Sequence, residues 1–588
     1  MDPLMIAVLG VLVAVVVIAV TAVAPRTGVS ASLLLVVLGV GISFLPFVPA
    51  VIIPPELILI AVLPPLLYSG SALLPTMDLR RDMRAVGGLS VLLVVVTALA
   101  LGVMFWALLP NLSLAGGIAL GAVVSPTDAV ATWIARRMGA PPRLTVVLEG
   151  ESLLNDATAL TTLRAAIAAS AATVSVWEMV GSFAWAMGAA ALCGVLTGLL
   201  GLVVRRPIDS AALSTSVSFV VPFVAFLAAE LIGASGLVAV VTAGLTTGWG
   251  AAIYLTPQDR AAEHSNWRTV ELLLEGGAFL FMGLSLFGII EEVHAERGSI
   301  WLATGIATLA IVALVLVRAA FIGPLLWSLA RRAKKLRAGP EVVERLGQLD
   351  RTNVLDSERG NRWLRHLAHR RDYDVAYLRD RPFGLREGVL LIASGMRGVT
   401  TVVAAQTLPR DFPYRSTLIL IAFWVAAGTL LIQGSTIAPL IRALGLADQD
   451  GGSATGANLL RHMVGEVGRE VLEDPGLRRP DGSAYDDEIV ARTRAVVVLH
   501  DPPAEDVTDA DTEVAETGVV EALERDRSLQ YRELRMRVIR EQRAALLRAR
   551  AAGAHSSRDL EHALAVLDAQ QINLDMAYPA VRPMDHYG

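Results

Sequence analysis

Cysteine occurs once in this chain, at Cys193. One thiol can neither close an internal disulfide nor build a cysteine-based metal site, and its apolar surroundings suit packing. Charge is also scarce: Asp, Glu, Lys and Arg make up 18% of the 588 residues, and most of them fall in one loop and in the C-terminal part. With a net charge of -5 and basic residues at the ends of apolar runs, the chain lacks the concentrated basic surface that a nucleic-acid partner requires. GxSxG, HExxH and GxxxxGK[ST] patterns are all missing, which argues against an enzyme. His264, His294 and the tail histidines show no ligand spacing and read as solvated side chains. Met1-Asp2-Pro3 lacks the basic region of a cleaved signal peptide, so the first apolar run is expected to remain as a crossing.

Apolar residues, by contrast, make up 54% of the chain, and mean hydropathy is +0.57. A bilayer crossing takes about 20 mainly apolar residues. Such runs recur near 4–24, 31–48, 51–74, 86–109, 114–135, 144–170, 177–204, 211–232, 235–254, 269–290, 300–328, 387–408 and 415–444. The expected fold is an all-α polytopic membrane protein of about thirteen transmembrane helices. Residues 1–446 form its membrane domain, interrupted by a cytoplasmic loop at 331–386, and 447–588 form a cytoplasmic tail.

Lys and Arg are retained on the cytoplasmic side of short loops. Arg80, Arg81 and Arg84, then Arg136, Arg137 and Arg143, then Arg205 and Arg206, and finally Arg331 to Arg337 all follow odd-numbered crossings. The opposite loops carry little positive charge. The N-terminus is therefore expected outside and the C-terminal tail inside.

Two of the runs contain helix breakers in mid-membrane. Pro126 stands within Ser125-Pro126-Thr127-Asp128, and a glycine pair brackets Gly395-Met396-Arg397-Gly398. Non-helical backbone at that depth is tolerated only where it is buried in protein or lines a cavity. Interrupted helices at matching places in two halves point to a transport site. The breaks are seven crossings apart, and an odd offset inverts topology, so the pattern fits inverted repeats with two broken crossing helices.

Asp128, Glu151 and Asp156 put three carboxylates into apolar sequence, where each costs at least ~2.5 kcal/mol on insertion scales. At ~100° per residue, Glu151 and Asn155 share one helix face, and Ser152 and Asp156 a neighbouring one. Ser152 and Asp156 offer a hydroxyl and a carboxylate to a small hard cation, and carbonyls freed near Thr127 could complete the shell. Asp156 can then hold a proton or a cation but not both, and that competition combined with alternating access is antiport. A plainer reading, a structural hydrogen-bond acceptor, stands beside this one for each carboxylate. Glu271 and Glu275 either line an inner funnel or mark an ordinary acidic helix start. Glu230 reads as an interface charge.

SPTDAVAT (125–132), EGESLLNDATAL (149–160), GMRGVTTVVAAQTLP (395–409), AAELIGASGLVAVVTAGLTTG (228–248), LPPLLY (63–68) and LIQGSTIAPLIRALGL (431–446) together resemble the monovalent cation:proton antiporters of the NhaP/NHE type. The resemblance covers residues 5 to 446 in order, and its most specific part is the Asn-Asp pair of EGESLLND. It implies an inverted-repeat core, a homodimer, no cofactor, and exchange of Na+, or Li+ or K+, for H+ across the cell membrane in pH homeostasis. Asp156 would be the cation- and proton-binding carboxylate, with Ser152 and the Thr127 backbone as further ligands. Asp128 would be tied to Asn155 and Arg397, and Glu151 to Arg318. Asn155, in place of a second aspartate, would go with electroneutral one-for-one exchange. Two departures stand out: Thr127-Asp128-Ala129 lacks the proline that many relatives have after the aspartate, and Ala393-Ser394-Gly395 before Arg397 lacks the tryptophan that many relatives carry there. A cation-coupled symporter of a small organic solute is the alternative from a different class.

Beyond RRAKKLR at 331–337, the loop shows amphipathic spacing at Val342, Val343, Leu346 and Leu349, suited to regulation or to a solvated connector. The tail reads as a Gly/Ser linker, a mixed segment to about 500, an acidic run from Asp501 to Glu516, and then helix. Tyr531, Leu534, Val538 and Ala545 share a face, Glu533 and Arg537 are spaced as an i,i+4 pair, and Leu560, Leu564 and Leu567 could pack back as a hairpin. A small helical domain that dimerises or regulates is expected, with a partly disordered tail as the alternative.

Overall fold

Hydroxyl side chains start several helices. Ser30, Ser113 and Ser210 accept from Leu33, Gly116 and Leu213 backbone N–H groups, and Thr256 forms a capping box with Asp259. Each cap satisfies N–H groups that have no partner within the helix, which matters most near hydrocarbon. The structure, a computed structural model, describes residues 3–27, 29–46, 54–171, 176–337, 377, 383–447, 453–499, 519–553 and 555–578. Among these the regular structure is helical, and the contacts divide it into two units. The expected helix around Val342 to Leu349 and the acidic run from Asp501 to Glu516 lie outside the described residues.

The first unit holds α1 (Pro3–Thr27), α2 (Ala31–Ser43), α3 (Pro55–Ala72), α4 (Met83–Leu108), α5 (Leu114–Val124), α6 (Val130–Arg137), α7 (Pro142–Ala171) and α8 (Val176–Arg205). It continues with α9 (Ala211–Leu231), α10 (Gly236–Tyr254), α11 (Pro257–Ala295), α12 (Ile300–Arg337), α13 (Leu385–Ala393), α14 (Val399–Gln406) and α15 (Arg415–Ala443). Nine helices among the described residues are long and apolar enough to cross a membrane. The remaining expected runs correspond to the short α2, the charged α7, and the pairs α5/α6 and α13/α14. These pairs are single runs broken at 125–129 and 394–398.

The largest boundary difference from expectation is at α11. The run placed at 269–290 belongs to α11, which starts at Pro257 behind its capping box. Asp259, Arg260, Glu263 and Arg268 depress hydropathy there without ending the helix, so Glu271 and Glu275 lie well inside it. In α3, a π turn at Ile58–Val62 precedes Pro64 and Pro65, whose missing N–H groups break the α pattern.

Close packing holds the broken helices in place. On α5, a side chain on Gly117 or Gly121 would collide with the Gly102 or Ala98 carbonyl of α4, so the two backbones touch there. The start of α7 is fixed by Arg143, which donates to both carboxylate oxygens of Asp82, with Nη2–Oδ1 at 2.5 Å and Nε–Oδ2 at 2.9 Å. Arg143 also faces the Phe383 ring at 4.3 Å. Arg81 pairs with Asp78 at 3.1 Å, and Arg205 is clamped by Glu263 at 2.7 and 3.1 Å. Several arginines at the ends of the apolar runs are thus ion-paired within the protein. Glu230 pairs with Arg164 at 2.8 Å and accepts from Gly236 N at 3.0 Å. Cys193 is half-buried against the core.

The second unit contains α16 (Ser453–Glu473), α17 (Asp487–Leu499), α18 (Val519–Ala552) and α19 (Ser557–Ala577). The first two replace the linker and mixed segment expected there. Leu472, Tyr485, Ile489, Val497, Leu534 and Val538 form their shared core with α18. The hairpin of α18 and α19 buries Leu560, Leu564 and Leu567 and is edged by Arg532–Asp575 at 3.0 Å and Arg543–Asp568 at 2.9 Å. Glu533 pairs with Arg479 at 3.4 Å and not with Arg537, which donates to the Arg478 carbonyl at 3.1 Å. The fold from α16 to α17 brings Arg479 across to α18 and displaces the local partner.

Candidate functional site

Breaking a helix in mid-membrane frees carbonyls and N–H groups that cost several kcal/mol each if left unpaired. The two breaks satisfy one another. Asp128 N donates to the Met396 carbonyl at 2.7 Å, and Arg397 Nε donates to the Val124 carbonyl at 2.9 Å. Arg397 also reaches the Ser125 carbonyl at 3.4 Å and the Gly395 carbonyl, while its backbone N donates to Thr429 Oγ1 at 3.0 Å. A side chain on Gly398 would collide with the Asp128 carboxylate, so only glycine fits at this crossing.

The side chain of Arg397 is therefore engaged with backbone carbonyls and forms no ion pair with Asp128, contrary to the expected tie. Asp128 Oδ1 accepts from Val130 N at 3.3 Å at the start of α6, and Oδ2 has no hydrogen-bond partner. The expected bond from Asn155 to Asp128 is also replaced. Asn155 Nδ2 donates to Thr127 Oγ1 at 2.5 Å and to the Thr127 carbonyl at 3.3 Å.

Glu151 sits at the centre of a buried network. Arg318 clamps it through Nη1 and Nη2 at 2.5 and 2.8 Å, and Thr127 Oγ1 donates to it at 3.1 Å. The Nε of Arg318 donates to the Leu391 carbonyl at the end of α13, at 2.7 Å. Each membrane charge in this network thus has a counter-charge and its hydrogen bonds, the condition under which a buried ion pair is tolerated.

Ser152 and Asp156, on the neighbouring face of α7, point elsewhere. They line a cleft of about 950 Å3, part of it open to solvent, together with Thr127, Asp128, Glu149, Glu271, Glu275 and Thr400. The structure thus brings Thr127, Ser152 and Asp156 to one cavity and places Glu151 and Asn155 behind them. Ser152 Oγ donates to the Glu149 carbonyl at 3.1 Å, and Glu149 pairs with Arg136. Asp156 is 8% exposed, and its Oδ1 accepts from Thr400 Oγ1 at 3.3 Å. On its other side Asp156 borders a narrow crevice with no room for a water molecule, walled by Thr400 and by apolar groups including Ala159, Leu160 and Leu163. Glu271 and Glu275, one turn apart on α11, face the wide cleft and are not a helix start.

Thr400 was not singled out by the sequence reading as a site residue. Its only sequence signal was a hydroxyl just after the glycine-bracketed break. The carbonyl acceptors Val124, Leu391 and Met396 had no signal, because backbone groups are the same in every residue. Among the described residues, no three His, Cys, Asp or Glu side chains converge as a metal cluster.

A polytopic helical membrane protein, with two broken helices crossing beside a buried carboxylate at the wall of a wide cleft, is the architecture of a secondary transporter. Residues 11–443 match the family of the transmembrane sodium/hydrogen exchanger, and the chain belongs to that family, whose activity is cation/proton exchange. An uncharacterized Na+/H+ exchanger of Mycobacterium tuberculosis is 28% identical over 426 residues, covering 71% of this chain and 70% of its own. The Na+/H+ antiporter ApNhaP of Aphanothece halophytica is 27% identical over 421 residues, again covering 71% and 70%. The solved structure of the sodium proton antiporter MjNhaP1 from Methanocaldococcus jannaschii superposes with a TM-score of 0.56 at 18% identity. It covers 76% of this chain and 99% of the other, a likeness of fold.

Proposed function

We propose that this protein exchanges Na+, or Li+ or K+, for H+ by alternating access, with cation and proton competing for Asp156. The observation that carries the reading is the position of Asp156 at a wide cleft, with only a narrow crevice that has no room for water on its other side. A small hard cation takes oxygen ligands. Asp156, Ser152 and the Thr127 carbonyl supply them at one place, and Asp128 adds negative charge nearby. Glu149 precedes Asp156 by two helical turns on α7 and lines the cleft, whereas Leu160 and Leu163 follow it and line the narrow crevice. The wide cleft therefore extends toward the arginine-bearing start of α7. With that end cytoplasmic, as the basic residues suggest, the arrangement is inward-facing, with the N-terminus outside and the tail inside.

One-for-one, electroneutral exchange belongs to the same reading. Glu151 is neutralised by Arg318, Glu149 pairs with Arg136 and Asn155 carries no charge, so Asp156 is the carboxylate of α7 that can trade a proton for a cation. A homodimer, a role in pH homeostasis and a regulatory tail are part of the proposal, by resemblance to the family.

The test is proton release from acid-loaded inverted vesicles on adding Na+, Li+ or K+, comparing the native chain with Asp156→Asn. Dissipation by the native protein alone supports the reading, and equal exchange by both excludes Asp156 as the exchange site. Proton movement only when an organic solute accompanies the cation would favour a symporter instead.

A further inference from the structure

Two side chains border both the wide cleft and the narrow crevice: Asp156 and Thr400. They come from different halves of the membrane unit, Asp156 from α7 and Thr400 from the first turn of α14, just past the second break. We propose that Thr400 is a further ligand for the transported cation and a determinant of its affinity, contributed to the Asp156 site by the second broken helix. The inference rests on the reading of Asp156 as the exchange carboxylate.

The oxygen supply around Asp156 leads to this assignment. The hydroxyl of Thr127 is doubly engaged, donating to Glu151 at 3.1 Å and accepting from Asn155 at 2.5 Å. Its carbonyl already accepts from Asn155 at 3.3 Å. Ser152 donates its proton to the Glu149 carbonyl, which leaves its lone pairs for a cation. Thr400 alone among these hydroxyls is directed at Asp156, by a single bond of 3.3 Å. A hydroxyl has one donor and two acceptor sites, and it rotates to suit. Without a cation, Thr400 donates to the carboxylate and keeps a buried oxygen satisfied. With a cation on the carboxylate, the same oxygen turns a lone pair to it. The bound ion then joins α7 to α14, one element from each side of the crossing, and Thr400 accompanies Asp156 whichever side is open.

A bond between a hydroxyl and a charged group changes an equilibrium constant on the order of tenfold to a hundredfold. Full-length native protein, Thr400→Val, Thr400→Ser and Asp156→Asn are compared in proteoliposomes for the half-saturating concentrations of Na+, Li+ and K+ and for the maximal rate. The expected result for Thr400→Val is a rise of about tenfold or more in the half-saturating concentration of the preferred cation, with a smaller change in maximal rate, and near-native values for Thr400→Ser. Native half-saturation in Thr400→Val overturns the proposal, and so does a Thr400→Ser variant as impaired as Thr400→Val, since the methyl group and not the hydroxyl would then matter. If Thr400→Val does not fold, Thr400→Ala removes the same hydroxyl and is judged by the same criteria. Exchange that persists in Asp156→Asn would instead overturn the underlying reading of the site.

Discussion

Arg318 holds Glu151 through two nitrogens, at 2.5 and 2.8 Å, and uses its third to cap α13 at the Leu391 carbonyl, at 2.7 Å. One side chain thus neutralises a carboxylate on α7 and closes one end of the second helix break.

Removing one partner of that pair leaves an uncompensated charge in the membrane interior. Arg318→Gln is expected to destabilise by about 3–5 kcal/mol, because breaking a buried pair costs far more than the pair contributes. The double variant Glu151→Gln, Arg318→Gln is expected to unfold closer to the native temperature than Arg318→Gln alone. Thermal unfolding of the purified protein in detergent measures both.

Arg397 and Asp128 are neighbours without being an ion pair, and substitution separates the two arrangements. Arg397 serves carbonyls on both sides of the crossing, which a lysine, a compact point charge, cannot match. Arg397→Lys is therefore expected to lower the unfolding temperature and abolish exchange. Asp128→Asn keeps an oxygen for Val130 N and the backbone bond to Met396, so its cost in stability is expected below about 1 kcal/mol. Comparable destabilisation by the two would restore the ion-pair view.

The two glycines of the second break differ in what surrounds them. A Cβ on Gly398 meets the Asp128 carboxylate, which is held by its own bond, whereas one on Gly395 meets the Arg397 and Arg318 side chains at 2.9 and 3.0 Å. Gly398→Ala is expected to lose most exchange activity while still inserting, and Gly395→Ala to lose less. Vesicle assays normalised to the amount of protein in the membrane rank them.

In the second unit, Leu534 and Val538 are fully buried. Leu534→Ala is expected to cost about 2–5 kcal/mol in that unit. Limited proteolysis of the full chain should then cut faster at arginines of α18, such as Arg537 and Arg540, and a cleavage rate unchanged from native would show that this core does not hold the tail.

The helices of the first unit were legible because hydropathy is a local property and a bilayer demands long apolar runs. Both breaks were legible for a similar reason: proline and paired glycine act on the backbone wherever they stand. The pair Glu151–Arg318 was implied by the resemblance to the family, and it makes physical sense because each is a charge in apolar sequence that burial obliges to find a partner. Arg397 did not fit that rule, because its counterparts are carbonyls that no sequence marks. The start of α11 was hidden as well, since charge lowers hydropathy without stopping a helix, and only the Thr256–Asp259 cap shows where it begins. In the tail, Glu533 meets Arg479 and not its local partner because the fold from α16 to α17 brings Arg479 across to α18.

The sequence by itself determined that the chain is a polytopic helical membrane protein, where its helices break, and which carboxylates stand in apolar surroundings. These follow from periodicity, composition and the conformational limits of single residues. The tertiary structure decided which groups meet: the mutual capping of the two breaks, the separation of Glu151 from the cleft, and the contact of Thr400 with Asp156. Such pairings depend on how helices far apart in sequence cross, and the oxygen atoms that make a site are mostly backbone carbonyls and small hydroxyls that look alike until the chain is folded.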